Sequence, residues 1–75
     1  MQATTLPKLL SLKDVIASTG LGRSTIYDIM DKRSDRYDPS FPKQVKLSPG
    51  RVAWIEQELA DWLGAKISDR DDAAA

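Results

Sequence analysis

Gly20-Leu21-Gly22 is the stretch that most restricts how this chain can fold. It separates two short segments, each with apolar residues at the i, i+3, i+4 spacing of an amphipathic helix. Leu12, Val15 and Ile16 lie before it, and Ile26, Ile29 and Met30 after it. Ser11 is a favoured N-cap for the first segment, and Asp14 sits three residues on, where a capping box needs its acid. Gly20 can end that helix because it tolerates a left-handed backbone. Gly22 can start the next, with Arg23, Ser24 and Thr25 in its first turn. The spacing predicts helices over residues 12–19 and about 23–32. So short a connection sets two helices at a steep angle, with Leu21 as the plug between them, and this is a helix-turn-helix.

The remaining chain supplies something for those helices to pack against. The run "KRSDRYDPSFPK" is polar and broken by Pro39 and Pro42, and reads as a surface loop pinned to the core by Phe41. In "KQVKLSPGRVAW", Val45 and Leu47 alternate with Lys46, and Val52 and Trp54 with Ala53. Pro49-Gly50 fits the centre of a type II turn. The stretch is expected to form a hairpin with one apolar face, leaving Lys46, Ser48, Arg51 and Ala53 outward or at the tip. Leu59, Trp62, Leu63 and Ile67 stripe a last helix whose Glu58 and Asp61 face water, with Gly64 weakening its end. Leu6, Leu9 and Leu10, interrupted by Pro7, suggest a short extended piece. Residues 1–5 read as loose and 68–75 as a disordered acidic and alanine tail, so 1–67 holds the domain. The expected fold is mostly α, with three helices and a small β-hairpin wing.

Composition removes whole classes of chemistry. At 75 residues there is room for one core. With no Cys there is no disulfide, thiolate nucleophile or zinc–thiolate site, and with no His the commonest metal ligand and general base are missing. No enzyme activity, metal or cofactor is expected. No stretch is apolar for long enough to span a bilayer, and the first residues lack a signal-peptide plan, so the expectation is a soluble, cytoplasmic protein with no membrane partner. Net charge is zero but unevenly spread. Residues 1–54 carry nine basic and five acidic side chains, and 55–75 carry two and six, giving halves of +4 and −4. Such polarity can turn one face toward a polyanion.

A helix-turn-helix followed by a hairpin is the plan of a winged DNA-binding domain. A helix N-terminus carries free N–H groups and partial positive charge, which suit phosphate. Arg23 can reach guanine edges in a major groove or clamp a phosphate, Ser24 and Thr25 can donate to phosphate oxygens, and Tyr27 can pack against sugar. On the wing, Lys46 and Arg51 can neutralise backbone charge. Each has a plainer role as well. Residues of the Arg-Ser-Thr kind are favoured at helix starts anyway, a tyrosine beside Ile26 is an ordinary core-edge residue, and charged hairpin residues blunt an exposed edge. A protein-interaction adaptor on the same fold, using the acidic last helix or exposed aromatics, is the alternative function.

The blocks "LLSLKDVIASTGLGRSTIYDIM", "FPKQVKLSPGRVAW" and "ELADWL", in that order, resemble the AlpA family of small prophage and genomic-island regulators. The resemblance implies a MerR-like winged helix-turn-helix related to excisionases. It also implies specific binding of double-stranded DNA at an integrated element, controlling its transcription, its excision, or both. By position it places Arg23, Ser24, Thr25, Tyr27 and Asp28 on the recognition helix and Lys43, Lys46 and Arg51 on the wing, beside the tip residue Ser48. Asp28 departs from the basic residue frequent there. It can accept from a cytosine amino group, orient Arg23 or Lys32, or lie off the interface. Excision would require an integrase as partner. A monomer in solution, binding cooperatively to repeated DNA sites, is expected, because no long dimerising helix follows residue 67.

Overall fold

The computed structural model describes residues 5–74, in the order β1 (Leu9–Leu10), α1 (Leu12–Thr19), α2 (Arg23–Met30), β2 (Val45–Ser48), β3 (Arg51–Ile55) and α3 (Glu56–Ala74). Apart from Thr5, the segment expected to be loose lies outside the described residues.

Helix α1 starts and stops where its caps are. The Asp14 N–H donates to Ser11 Oγ and the Ser11 N–H donates to Asp14 Oδ2, both at 3.2 Å, completing the capping box. Gly20 then takes a φ of 75°, and its N–H reaches the Ile16 carbonyl at 2.8 Å. Thr19 braces the turn. Its hydroxyl donates to the Val15 carbonyl at 2.8 Å and accepts the Leu21 N–H at 3.1 Å, fixing the residue that plugs the two helices. Helix α2 ends at Met30, two residues short of the sequence expectation. Asp31 is extended there, and its Oδ1 takes the Arg33 N–H at 2.9 Å, a local bond that competes with continuing the helix.

The extended piece at Leu9–Leu10 is a strand of the sheet. β1 and β2 flank β3, all antiparallel, with Leu10 opposite Trp54 and Val45 opposite Ala53. The wing therefore grows from a three-stranded sheet. Its turn is as expected, with Gly50 at φ 80°. Its register is not. A regular hairpin would set Leu47 opposite Val52, whereas Lys46 takes that place and Ser48 faces Arg51, with a bulge between. A type II turn twists against the natural twist of paired strands, and an extra residue absorbs the mismatch. Leu47 is extruded to 52% exposure, while Ala53, expected outside, is buried at 5%.

The three helices, β3 and the loop before β2 each contribute a side chain to the centre. Val15 of α1, Ile26 of α2, Phe41 of the loop, Trp54 of β3 and Leu59 of α3 form the buried cluster. Trp62 and Leu63 pack against it, but Ile67, one turn further along, is 53% exposed because α3 has by then passed the core. Gly64 does not stop this helix. It continues to Ala74, beyond the end near residue 67 that the sequence suggested, through a stretch with no further Gly or Pro.

Asp38 ties the long loop down. Its N–H donates to the Ile29 carbonyl at 2.9 Å, and its carboxylate accepts from the Ser40 hydroxyl and backbone N–H. It also accepts the Trp62 indole N–H at 3.3 Å and faces Lys66 Nζ at 3.3 Å. The Ser40 hydroxyl and then the Ser40 N–H, joined by Trp62 and Lys66 and only partly opposed by desolvation, hold the Asp38 carboxyl down from 3.8 to about 2. A depressed folded pKa contributes stability that is complete above the unfolded value and disappears as pH falls toward the folded one. With the carboxylate about a quarter exposed, the contribution is about 1–2 kcal/mol. Denaturant melts of wild type and Asp38→Asn should thus differ at pH 6 and converge by about pH 2. A gap that persists at that pH would assign the stabilisation to something other than the ionised carboxylate.

Candidate nucleic-acid interface

The two helix starts are built differently. α1 has a side-chain cap and an acid in its first turn, so its amide donors are partly used and its positive end is screened. α2 starts at Gly22, which has no side chain to cap with, and its first turn contains Arg23, Ser24 and Thr25 without an acid. The Gly22 carbonyl receives the Ile26 N–H at 3.0 Å, so the first intrahelical bond forms while the donors ahead of it are left to outside partners. Arg23 and Ser24 are exposed, whereas Thr25 is half-buried beside the buried Ile26.

Helical geometry makes two rows on the open side of α2. Arg23 and Tyr27 lie four residues apart on one row, and Ser24 and Asp28 on the next. The first row meets the wing. Arg23 and Tyr27, together with Leu12, line a groove of about 420 Å³ with Gly50, Arg51 and Val52. The sequence-predicted Arg23, Tyr27 and Arg51 are therefore brought together across some 28 positions of chain. Tyr27, at 41% exposure, lines that groove. Lys46 and Ser48 are exposed on β2, with Ser48 opposite Arg51 at the tip.

Lys43 is placed differently. It precedes β2 and lines one cleft with Phe41, Pro42, Asp61 and Trp62 and a second with Met30 of α2 and Lys32, and it is not among the residues of the α2–wing groove. Asp28 has a partner that the sequence did not suggest, Arg36 of the loop, whose Nη1 lies 3.8 Å from Asp28 Oδ2. Two features escaped sequence reasoning. One is the Asp28–Arg36 pair, which depends on how the loop folds back. The other is the exposed Leu47 between Lys46 and the tip, which depends on the bulge. A type II turn closing a hairpin was the available signal for the second. Glu58 and Asp61 are exposed on α3, where Asp61 accepts from the Gln57 side chain at 2.9 Å. Among the described residues no helix is long and apolar enough to cross a membrane.

Two helices joined by a braced three-residue turn, with a β-hairpin beside the second, define a helix-turn-helix protein with a β wing. The chain belongs to the AlpA family, since residues 8–67 match the family described as Prophage CP4-57 regulatory protein (AlpA). It is 44% identical over 59 residues to the DNA-binding transcriptional activator AlpA of Escherichia coli (strain K12), covering 79% of this chain and 84% of that relative. It is also similar to the uncharacterized protein ORF88 of Enterobacteria phage P4, 35% identical over 66 residues, or 88% of this chain and 68% of the relative. No solved structure matches it at a significant level.

Proposed function

We propose that the protein is a sequence-specific double-stranded DNA-binding regulator of a mobile element. The observation that carries the reading is the groove in which Arg23 and Tyr27 of α2 meet Gly50 and Arg51 of the wing, beside a helix start without a side-chain cap. α2 enters a major groove, where Arg23 reads a base edge or grips a phosphate and Ser24 and Thr25 donate to phosphate. Tyr27 packs against the backbone. Lys46, Ser48 and Arg51 follow the adjacent strand, and Lys43, exposed just ahead of β2, adds positive charge beside them. The arrangement is the MerR-like one. Transcriptional control accords with the name of the Escherichia coli relative. Excision of the element, with an integrase as partner, is a second output of the same binding event. The protein acts as a monomer that occupies repeated sites.

Enrichment of random duplexes on the purified protein tests this. A definite sequence should emerge, and its affinity should fall with salt at a log–log slope of about 0.9 per phosphate neutralised. Weak binding that is indifferent to sequence would replace the reading with that of a protein-interaction adaptor.

A further inference from the structure

Asp28 is the only acid in α2, and it stands on the exposed row with Ser24, next to Tyr27. A carboxylate there works against the approach of any polyanion. The loop answers it. Beyond Asp31 the backbone turns in steps, with the Ser34 N–H on the Asp31 carbonyl at 2.9 Å and the Tyr37 N–H on the Ser34 carbonyl at 3.1 Å. The Arg36 N–H is held by Ser34 Oγ at 3.1 Å, and the loop is drawn back to α2 by the Asp38 N–H on the Ile29 carbonyl at 2.9 Å. This winding delivers the Arg36 guanidinium to Asp28 at 3.8 Å, with the side chains 67% and 48% exposed.

An ion pair this exposed adds little to folding. Its effect appears when a third charge arrives and water is excluded, since unscreened repulsion between Asp28 and phosphate then grows. We propose that Arg36 is a positioning residue of the DNA interface, which acts through Asp28 by cancelling its charge so that α2 can seat in the groove. The inference rests on the DNA-binding reading above. It makes the loop, which carries no part of the helix-turn-helix, a determinant of affinity.

A double-mutant cycle on the full chain tests it, using the duplex enriched by wild type, or a mixed-sequence duplex at low salt if none is enriched. Arg36→Ala should weaken binding about 5-fold or more, the scale of one unscreened like-charge contact at an interface. Asp28→Asn should bind more tightly than wild type, because the repelling carboxylate is gone and the Arg36 charge is no longer cancelled. In the Asp28→Asn background, Arg36→Ala should change affinity by less than about 2-fold, the signature of coupled rather than independent residues. Thermal midpoints of all four proteins should stay close, which separates the effect from misfolding. An equal loss from Arg36→Ala in both backgrounds, with a salt slope lower by about 0.9, would overturn the proposal in favour of a direct phosphate contact. No loss in either background would overturn it too. Arg23→Ala serves as the control. If wild type binds and Arg23→Ala weakens it while the cycle is additive, only the Arg36 inference fails. If wild type binds no duplex, the DNA-binding reading itself fails, and this one with it.

Discussion

Trp54→Ala is expected to leave the domain largely unfolded at room temperature. Trp54 is fully buried, opposite Leu10 in the sheet and among Val15, Ile26, Phe41 and Leu59. Truncating a buried tryptophan to alanine costs about 3–5 kcal/mol, since the lost transfer energy is joined by that of a cavity. A single core in a chain this short rarely exceeds about 3–5 kcal/mol of stability, so the substitution consumes nearly all of it. Circular dichroism of the variant should show loss of helix with no cooperative thermal transition. Trp54→Phe should be milder, because the indole N–H has no hydrogen-bond partner among the described residues and its removal returns part of the penalty of burying it. A variant with alanine here that melts like wild type would mean that the core is organised around other residues.

The second large effect concerns binding. Arg23→Ala should lower affinity for the preferred duplex by about 10- to 100-fold, the usual worth of one bidentate base contact or buried phosphate contact. Arg23 is exposed, so its melting temperature should hardly move. The form of the loss identifies the contact. A base-edge arginine, once removed, relaxes discrimination at one position of the site. A phosphate-gripping one weakens all sequences alike and lowers the salt slope by about one. Measurement across a panel of single-base variants at two salt concentrations distinguishes them. Unchanged affinity throughout would remove Arg23 from the interface.

Most of the architecture could be read in the residues because its signals are local. Ser11, Asp14 and Gly20 bound α1 by capping chemistry, and Pro49-Gly50 marks the wing turn by backbone preference alone. What escaped depends on partners distant in the chain. Leu9–Leu10 was legible as a short extended piece, but its place in the sheet was not, because that depends on β3 lying beside it. The apolar alternation of Val45, Leu47, Val52 and Trp54 suggested one face, but that reading assumed regular pairing, and the bulge moved Leu47 out and Ala53 in. Ile67 continued a helical stripe whose core had already ended at Leu63.

The same holds for the site. Arg23, Tyr27 and Arg51 belong to segments whose ends are visible in the sequence, and the fold brings them to one groove. Lys43 was placed with the wing by the family resemblance; in the fold it precedes β2 and lines the cleft with Trp62. Asp28 could not be interpreted alone, since its partner Arg36 is delivered by loop turns that no periodicity encodes.

The pairing of β1 with β3 also has a bearing on how the chain is made. Leu9 meets Ile55 and Leu10 meets Trp54, and the buried cluster is completed only by Leu59. As the polypeptide leaves the ribosome, α1 and α2 emerge first, each eight residues long and too short to persist as isolated helices. They have no sheet to rest on until the segment around residue 55 has been synthesised. Nascent chains arrested with residue 50 just outside the exit tunnel should therefore remain protease-sensitive, and resistance should arise in one step once residue 63 has cleared it.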